Sequence, residues 1–263
     1  MVKNKKILIF GSNGMLGSEF VRFLDKDYEL ILPTQKECDI AELPEVKQYI
    51  KKGIDLVINC AAISNIDYCE KNPKQAVKTN FLGPANLLKI CQQKNVPLMH
   101  FGSTQDKDLI NVYAVTKYLS VKLFNKKIYK KFFVFRTDLL FGGGKHKDKN
   151  FVGFLLKSLK TGHRIELTNN RYSSPTYIKD LIDFCWKKYQ NKQFGIYEVG
   201  NQGRVTRWQL ANEIANILGK KHKFFINNNF KEIAPRVKDS SIKTKHLRSY
   251  KLALKEYIHE SYL

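Results

Sequence analysis

Short apolar runs alternate with longer amphipathic stretches along the first half of the chain. The first run, Ile7 to Phe10, is continuously hydrophobic and predicts a buried strand. Glycines follow, and then Leu16, Phe20 and Leu24 recur at helical intervals, which predicts a helix. Further strands are predicted at 28–33, 54–59 and 97–101, with helices at 43–51 and from Asn72 onward. Strands that alternate with helices predict an α/β fold, a Rossmann-like doubly wound parallel sheet.

The second half of the chain has shorter elements. Its pattern predicts helices at 150–159 and 177–186 and a short strand at 164–167. Thr206 and Gln209 have the spacing of a capping box, which predicts a further helix that ends at Gly219. No Pro- or Gly-rich linker separates these elements. We therefore expect a core over residues 1–145 and a smaller C-terminal α/β lobe over residues 146–263, with segments that return to the core.

Three glycines lie between the first predicted strand and the first helix. Gly11, Gly14 and Gly17 follow one another at three-residue spacing, in a context typical of a dinucleotide-binding turn. Gly11 would allow the tight turn, Gly14 the approach of backbone N–H groups to a pyrophosphate, and Gly17 the packing of helix on strand. The alternative is an ordinary glycine-rich turn, because the spacing differs from the commonest G-x-G-x-x-G pattern.

Later segments bear on the same cofactor. The second predicted strand is followed by Thr34, Gln35 and Lys36, without the carboxylate that often binds the ribose 2′-hydroxyl of NAD, so NADPH and NADH both stay open. Small residues at 60–62 follow the third strand and would let a flat ligand lie against the backbone. Asn80 is polar among apolar neighbours, and is either a functional bridge or a hydrogen-bonded structural residue.

A candidate catalytic pair follows the fourth predicted strand. Tyr113 and Lys117 are four residues apart, so on a helix they share one face. A neighbouring cation favours the phenolate, and we therefore expect Lys117 to bring the pKa of Tyr113 down toward neutrality. The Y-x-x-x-K pattern alone is common on surface helices. The preceding Ser103-Thr104 strand end and the upstream glycines favour the catalytic interpretation.

Composition narrows the classes of protein. The net charge is +22, but only eight of the 46 basic residues are arginine, and the lysines are spread along the chain, which favours a solvated surface that attracts anionic small molecules over a nucleic-acid-binding face. Five cysteines without C-x-x-C spacing and scattered histidines suggest neither a disulfide framework nor a metal site. No signal peptide and no membrane-spanning run is evident, so we expect a cytoplasmic protein.

Taken together, these motifs resemble the extended short-chain dehydrogenase/reductases, and more narrowly the dTDP-4-dehydrorhamnose reductase family of sugar-nucleotide enzymes. The resemblance extends over nearly the whole chain. The matching segments are 11–17, Asp39-Ile40, 59–62, the D-x-x-E stretch 67–70, 80–84, Ser103-Thr104, 111–117, 133–137, 174–177 with Asp180-Leu181, 195–197, and the closing Pro235-Arg236, Ser241-Ile242 and Thr244-Lys245.

The resemblance implies an NAD(P)H-dependent reductase of a nucleotide-linked 4-keto sugar, in surface polysaccharide or deoxysugar biosynthesis. It implies that Tyr113 donates a proton, that Lys117 binds the nicotinamide ribose and that Thr104 holds the substrate oxygen. Expected substrate contacts are Thr104, Gln105 and, for the diphosphate, Arg171 and Arg236, which are otherwise ordinary surface arginines. Expected cofactor contacts are Gly11, Asn13, Gly14, Met15, Leu16, Gly17, Asp39, Ile40, Cys60, Ala61, Ala62, Asn80, Tyr113 and Lys117.

Three features depart from the family pattern. The segment 105–112 is much shorter than the family's loop, which helps to enclose the sugar. Asp138 to Leu140 stand where the family usually has a tryptophan against the substrate, and Gly142 to Gly144 replace a less flexible connection. Cofactor binding is expected to be intact, whereas the fit to a dTDP-rhamnose-type substrate is not. The alternatives are a non-catalytic NAD(P)-binding regulatory subunit or a sugar-nucleotide epimerase. The sequence leaves the oligomeric state open, and a homodimer is one alternative.

Overall fold

The structure is a computed structural model that describes residues 5–161 and 164–262. The strands are β1 (Lys6–Phe10), β2 (Glu29–Ile31), β3 (Leu56–Asn59), β4 (Leu98–Ser103), β5 (Phe132–Thr137), β6 (Leu140–Phe141), β7 (Glu166–Leu167), β8 (Tyr172–Ser173), β9 (Thr176–Tyr177), β10 (Gly195–Glu198), β11 (Val205–Thr206) and β12 (Phe225–Ile226). The helices are α1 (Met15–Leu24), α2 (Leu43–Tyr49), α3 (Ile66–Lys71), α4 (Pro73–Val77), α5 (Gly83–Lys94), α6 (Val112–Lys122), α7 (Phe151–Thr161), α8 (Ile178–Gln190), α9 (Arg207–Ile217) and α10 (Tyr250–Tyr262).

Six strands form one parallel sheet in the order β10-β5-β4-β3-β1-β2. From β1 the chain moves outward to β2 and then crosses to β3 on the other side of β1. The strand order therefore reverses between β1 and β3, where Phe10 pairs with Asn59. In open α/β sheets, ligands bind beyond the carboxyl ends of the strands at such a switch point.

Successive side chains along each strand point to opposite faces of the sheet, and here both faces carry apolar side chains. Helices therefore cover both faces. On one face Ile7, Ile9 and neighbouring residues pack against α1 and α8. On the other, Leu8 and Phe10 pack against α2 and α5. The fold class is therefore the doubly wound, Rossmann-like α/β sheet expected from the sequence.

The rest of the second half surrounds a separate hydrophobic cluster. Helices α7, α9 and α10 bury residues such as Leu155, Leu210 and Leu254 there, beside three two-stranded ladders. The capping box of Thr206 and Gln209 is present at the start of α9. Both β10 and α8 lie beyond residue 145 yet belong to the sheet layer. The assignment of residues 146–263 to a separate lobe stays a prediction.

Several element bounds differ from the expected ones. The helix expected at 177–186 begins at Ile178 and continues to Gln190, and the strand expected at 164–167 contains only Glu166 and Leu167. Within the described ranges, no helix is both long and apolar enough to cross a membrane.

Candidate active site

The turn after β1 brings the chain against the end of β3. Gly11 has a φ of +73°, and a Cβ there would lie 2.5 Å from the Ala61 nitrogen. A Cβ on Gly17 would lie 2.1 Å from the Gly11 carbonyl oxygen, so α1 can approach the turn only at a glycine. The Gly14 N–H donates to the Gly11 carbonyl at 3.0 Å, and Gly14 is the N-cap of α1. The N-terminus of α1 thus lies beside the carboxyl ends of β1 and β3, in position to bind a phosphate.

A cavity of about 500 Å³ opens at this turn, and we call it the loop cavity. Thr34 and Gln35 line it at the end of β2, whereas the Lys36 side chain is exposed and is not among its lining residues. The Glu37 carboxylate accepts hydrogen bonds from the backbone and the hydroxyl of Thr34, each at 2.8 Å, and so holds this turn. Expected cofactor contacts that line the loop cavity are Gly11, Asn13, Gly14, Asp39, Ile40, Cys60, Ala61 and Ala62.

A second space of about 480 Å³, the central cavity, adjoins the loop cavity. The two share Gly14 and residues 60–62 as lining. Met15 and Leu16 face the central cavity from α1, whereas Gly17 serves the packing of α1 on the turn. Ser103, Tyr113 and Lys117 line the far side of the same cavity.

Ser103, Tyr113 and Lys117 form one constellation at the ends of β4 and α6. The Ser103 hydroxyl accepts a hydrogen bond from the Gln105 N–H at 3.1 Å, and its own hydrogen is available for the Tyr113 oxygen, with which it is hydrogen-bonded. Lys117 is buried, and its Nζ donates to the Phe101 carbonyl at 2.6 Å. A hydroxyl, a phenol and an ammonium therefore converge on one cavity wall.

Burial shifts the titration of both ionisable groups in this constellation. It raises the pKa of Tyr113 to about 12, while the hydrogen bond with Ser103 acts in the opposite direction. Burial also lowers the pKa of Lys117 to about 8, against the charge of Asp106. The expectation that Lys117 brings the Tyr113 pKa toward neutrality is therefore wrong for the free protein. Tyr113 is a neutral phenol at neutral pH, which is the state that a proton donor needs.

A buried hydrogen-bond network holds the backbone of α6 at Lys117. The Ser120 hydroxyl donates to the Lys117 carbonyl at 2.8 Å and lies 3.2 Å from His100 Nε2, while Asn59 Nδ2 lies 3.1 Å from His100 Nδ1. Burial, the largest cause, and the Lys117 charge lower the pKa of His100 well below its ordinary value, so the ring is neutral. A ring that donates from Nε2 and accepts at Nδ1 satisfies all three contacts and joins β3, β4 and α6.

Asn80 does not line either cavity. It lies in a π-helical turn, Lys78–Leu82, where the widened spacing directs its side chain inward. Its amide accepts from the Ile63 N–H at 2.9 Å and donates to the Ile63 carbonyl at 3.0 Å, with a further contact of 3.4 Å to the Thr116 hydroxyl. In this structure Asn80 thus holds the segment after β3 against α6, and its expected contact with the cofactor stays a prediction.

Thr104, expected to hold the substrate oxygen, is turned away from the central cavity. It is fully buried, and its hydroxyl donates to the Ser240 carbonyl at 2.7 Å. Ser103 is the last residue of β4 and lines the cavity, whereas Thr104 begins a 3₁₀ turn, Thr104–Asp106, that turns its side chain to the C-terminal segment. The geometry therefore favours Ser103 as the hydroxyl that faces the central cavity, and the expected role of Thr104 stays a prediction.

The short segment after Thr104 is held by the C-terminal part of the chain. Gln105 lines the central cavity, and its Nε2 donates to Asp138 at 3.2 Å and to the Ser240 hydroxyl at 2.8 Å. Lys107 Nζ donates to the Ser241 carbonyl at 2.7 Å, and Asn111 Nδ2 to the Pro235 carbonyl at 2.8 Å. The segment 235–241 thus packs against this short segment.

Asp138 lies at the wall of the central cavity. Its carboxylate is 3% exposed and accepts from the Ser174 N–H and the Ser240 hydroxyl, each at 2.9 Å. Burial raises its pKa, and these hydrogen bonds oppose the shift. The neighbouring glycines 142–144 all have positive φ, and a Cβ on Gly143 would lie 2.7 Å from Met15 Cγ, so this connection packs closely on α1.

A third space of about 310 Å³, the lobe cavity, lies between the second half of the chain and α3. Arg171 and Arg236, the expected diphosphate ligands, both line it. Arg171 forms an ion pair of 2.6 Å with Glu232, and Arg236 forms one of 2.8 Å with Asp67. Arg207 also lines it and reaches the central cavity as well. The sequence does not single out Arg207, because nothing local indicates that the first turn of α9 faces a cavity.

Among the residues described, no group of three or more His, Cys, Asp and Glu side chains could hold a metal ion. All five cysteines are free, and burial raises the pKa of Cys60, which lines both the loop and central cavities.

The fold and these cavities define a nucleotide-binding α/β protein with a Ser–Tyr–Lys site. More narrowly, the chain belongs to the family described as the RmlD substrate binding domain, whose profile matches residues 5–261. This confirms the family resemblance seen in the sequence.

Individual relatives carry related names. The dTDP-4-dehydrorhamnose reductase of Mycolicibacterium smegmatis is 28% identical over 236 residues, which cover 83% of this chain and 71% of that protein. The spore coat polysaccharide biosynthesis protein SpsK of Bacillus subtilis is 26% identical over 283 residues, or 97% of each chain. A solved dTDP-4-dehydrorhamnose reductase from Clostridium acetobutylicum superposes with a TM-score of 0.89 at 27% identity, covering 98% of this chain and 100% of that one.

A second solved structure shares the fold at lower identity. The dTDP-4-dehydrorhamnose reductase of Bacillus anthracis, in complex with NADP, has a TM-score of 0.87 at 23% identity and covers 99% of this chain and 100% of that one.

Proposed function

We propose that this chain is an NAD(P)H-dependent reductase of a nucleotide-linked 4-keto sugar, of the dTDP-4-dehydrorhamnose reductase type. The observation that carries the proposal is the central cavity, where Ser103, Tyr113 and Lys117 meet between a nucleotide-binding turn and an arginine-lined cavity. The names of the relatives agree with the reductase class and with a place in polysaccharide biosynthesis. At the level of the family, they confirm the NAD(P)-dependent oxidoreductase expected from the sequence.

The residues present fit a dinucleotide. The turn at Gly11 and the small residues 60–62 leave backbone exposed along the loop cavity, where side chains would otherwise fill the space. Thr34 and Gln35 carry no charge, so the ribose can be bound with or without a 2′-phosphate, as NADPH or NADH. When bound, the reduced nicotinamide supplies a hydride to the keto carbon of the sugar.

The protein supplies the proton and the charge stabilisation. Tyr113 donates its phenolic proton to the developing alkoxide. Ser103 then donates a hydrogen bond to the phenolate oxygen, and the buried ammonium of Lys117 stabilises the negative charge left there. The Phe101 carbonyl and the Ser120 hydroxyl hold the lysine in place. This scheme assigns the hydroxyl role to Ser103 in place of Thr104.

The experiment is turnover of purified protein with NADPH or NADH and a panel of nucleotide-4-keto sugars, followed by the fall in nicotinamide absorbance. Tyr113→Phe should lower kcat by about 10²–10⁴-fold, the usual worth of general acid catalysis, with an unchanged NADPH affinity. Tyr118→Phe is the matched control, because Tyr118 lies five residues (118 − 113) further along α6 and its ring contacts only Lys122 among the cations that the structure describes. Unaltered turnover in Tyr113→Phe would refute the assignment. NADPH binding without oxidation of any sugar would favour the non-catalytic subunit.

A further inference from the structure

Three arginines from separate segments converge on the lobe cavity. Arg171 precedes β8, Arg207 is the first residue of α9, and Arg236 lies in the segment before α10. Guanidinium groups held together in a partly desolvated space repel one another, and the charge of Arg171 indeed disfavours that of Arg207. Such a cluster costs folding free energy unless an anion compensates it. Planar, bidentate donors suit phosphate above other anions.

A carboxylate of the protein compensates part of this charge. Glu232 lines the lobe cavity, and its Oε1 lies 2.6 Å from Arg171 Nη1 and 3.9 Å from Arg236 Nε. The carboxylate therefore sits between two arginines, at a place that an incoming phosphate would also occupy. Arg236 keeps a second partner, Asp67 of α3, at 2.8 Å.

Arg207 differs from the other two arginines. Within the described part of the chain, its Nη1 is buried and has no hydrogen-bond partner. Its guanidinium stacks on the Phe151 ring, 4.5 Å from the centroid, which fixes its plane. Burial lowers its pKa to about 10, so it is charged at neutral pH. The negative charge of Asp138 favours the charged form of Arg207. The Asp138 carboxylate, however, accepts hydrogen bonds from Ser174 and Ser240.

The position of Arg207 relates it to the reaction. The lobe cavity and the central cavity share Ile66, Gln105, Phe151 and Arg207 as lining. A nucleotide sugar whose keto carbon lies beside Tyr113 must pass its diphosphate through this junction. Phe154 and Phe230, both exposed at the rim of the lobe cavity, offer ring faces to the nucleobase beyond it.

We propose that Arg207 is a third ligand in the diphosphate site at which the family resemblance places Arg171 and Arg236, and that Glu232 occupies part of this site until the diphosphate of the nucleotide sugar displaces it. The inference rests on the proposed function, since it takes a nucleotide sugar as the substrate. Arg207 binds the phosphate next to the sugar, because it borders the central cavity. Arg171 and Arg236 bind the phosphate next to the nucleoside. Arg207 is therefore the residue that distinguishes a nucleoside diphosphate from a monophosphate.

Two variants with opposite expected effects test the site. Arg207→Gln removes the charge that meets the sugar-side phosphate, so nucleoside diphosphate affinity should fall about tenfold to hundredfold while monophosphate affinity changes much less. Glu232→Gln keeps the shape of the side chain but removes the competing negative charge. Diphosphate affinity should then rise about fivefold. Arg204→Gln is the matched control, because Arg204 pairs with Asp239 and lines none of the three cavities.

The measurement is calorimetric titration of the full chain, saturated with NADPH, with dTDP and UDP and with dTMP and UMP. Wild type should bind at least one diphosphate more tightly than its monophosphate. Two outcomes in the wild type would overturn the inference: equal affinity for the diphosphate and its monophosphate, or no binding of either diphosphate. Two outcomes in the variants would also overturn it. One is an equal loss of diphosphate and monophosphate affinity in Arg207→Gln, and the other is weaker diphosphate binding in a Glu232→Gln protein of unchanged Tm. None of these outcomes depends on turnover. A protein that shows the expected diphosphate preference but reduces no sugar would therefore refute the proposed function alone.

Discussion

Replacement of Gly17 by alanine should weaken both the binding of the cofactor and the stability of the fold. A Cβ at this position would lie 2.1 Å from the Gly11 carbonyl oxygen and 2.9 Å from the Ser12 Cα. Both are backbone atoms, so no change of rotamer can relieve the clash. Ordinary contact begins at 3.4 Å, and α1 must therefore move by about 1.3 Å (3.4 − 2.1 Å) relative to the turn.

Two opposing effects set the size of the change. Alanine within a helix is about 1 kcal/mol more favourable than glycine, whereas overpacking costs about 1–3 kcal/mol. The clash prevails because it involves backbone, and we expect a net loss of up to about 2 kcal/mol in the free energy of unfolding. The displaced helix N-terminus also loses at least one hydrogen bond to the charged phosphate, which weakens NADPH binding by about tenfold or more.

Fluorescence titration with NADPH and urea denaturation measure these two effects. Gly53→Ala is the control, because Gly53 has a φ of +98° but, beyond its chain neighbours, no atom of the described residues lies within 4 Å of its Cβ position. It should lose about 1 kcal/mol of stability from backbone strain alone, with no change in NADPH affinity. If Gly17→Ala binds NADPH as tightly as wild type, the contact between α1 and the turn does not position the phosphate site, and the reasoning fails.

Two further predictions concern the Ser–Tyr–Lys site. In steady-state assays, Ser103→Ala should lower kcat about tenfold or more, because the phenolate of Tyr113 loses a hydrogen bond. Thr104→Val should leave kcat unchanged. A larger loss in Thr104→Val than in Ser103→Ala would show that Thr104, and not Ser103, supplies the hydroxyl. Lys117 has a folded pKa of about 8, below its ordinary value of 10.5, so the unfolded chain binds its proton more tightly. Between pH 8 and 10.5 the free energy of unfolding of the wild type should therefore rise by about 3 kcal/mol relative to that of Lys117→Met, as measured by urea denaturation. If the free energies of unfolding of the two proteins differ by the same amount at every pH, this prediction is wrong.

The cofactor side of the molecule is predictable because its signals are local. The strand ending at Phe10, the turn at Gly11 and the helix carrying Gly17 are consecutive in the chain, and each needs only near neighbours to form. The small residues 60–62 likewise follow their strand directly. The parallel sheet then brings these ends together without further information, since all its carboxyl ends lie at one edge.

The substrate side depends on contacts that no local pattern records. Ser103 and Thr104 are adjacent and chemically alike, and only the direction of β4 at its last residue decides which one faces the cavity. Asn80 turns inward because a π-helical turn interrupts α4 and α5, which hydrophobic periodicity does not reveal. Arg207 faces Phe151 across 56 positions of the chain (207 − 151). These placements are tertiary, so sequence periodicity left them undetermined.

The three departures from the family pattern meet at one place. Asp138 stands where the family usually has a tryptophan, and its carboxylate binds both Gln105 of the shortened segment and Ser240 of the C-terminal segment. The short segment thus needs the acidic residue as its anchor, and the glycine run beside them lets the chain pack on Met15. These contacts give the central cavity a polar wall, and Ser103, Tyr113 and Lys117 line the same cavity. We infer that the proposed proton transfer is retained and that the sugar specificity has changed, because Gln105 and Asp138, two of the altered positions, line the central cavity beside Tyr113.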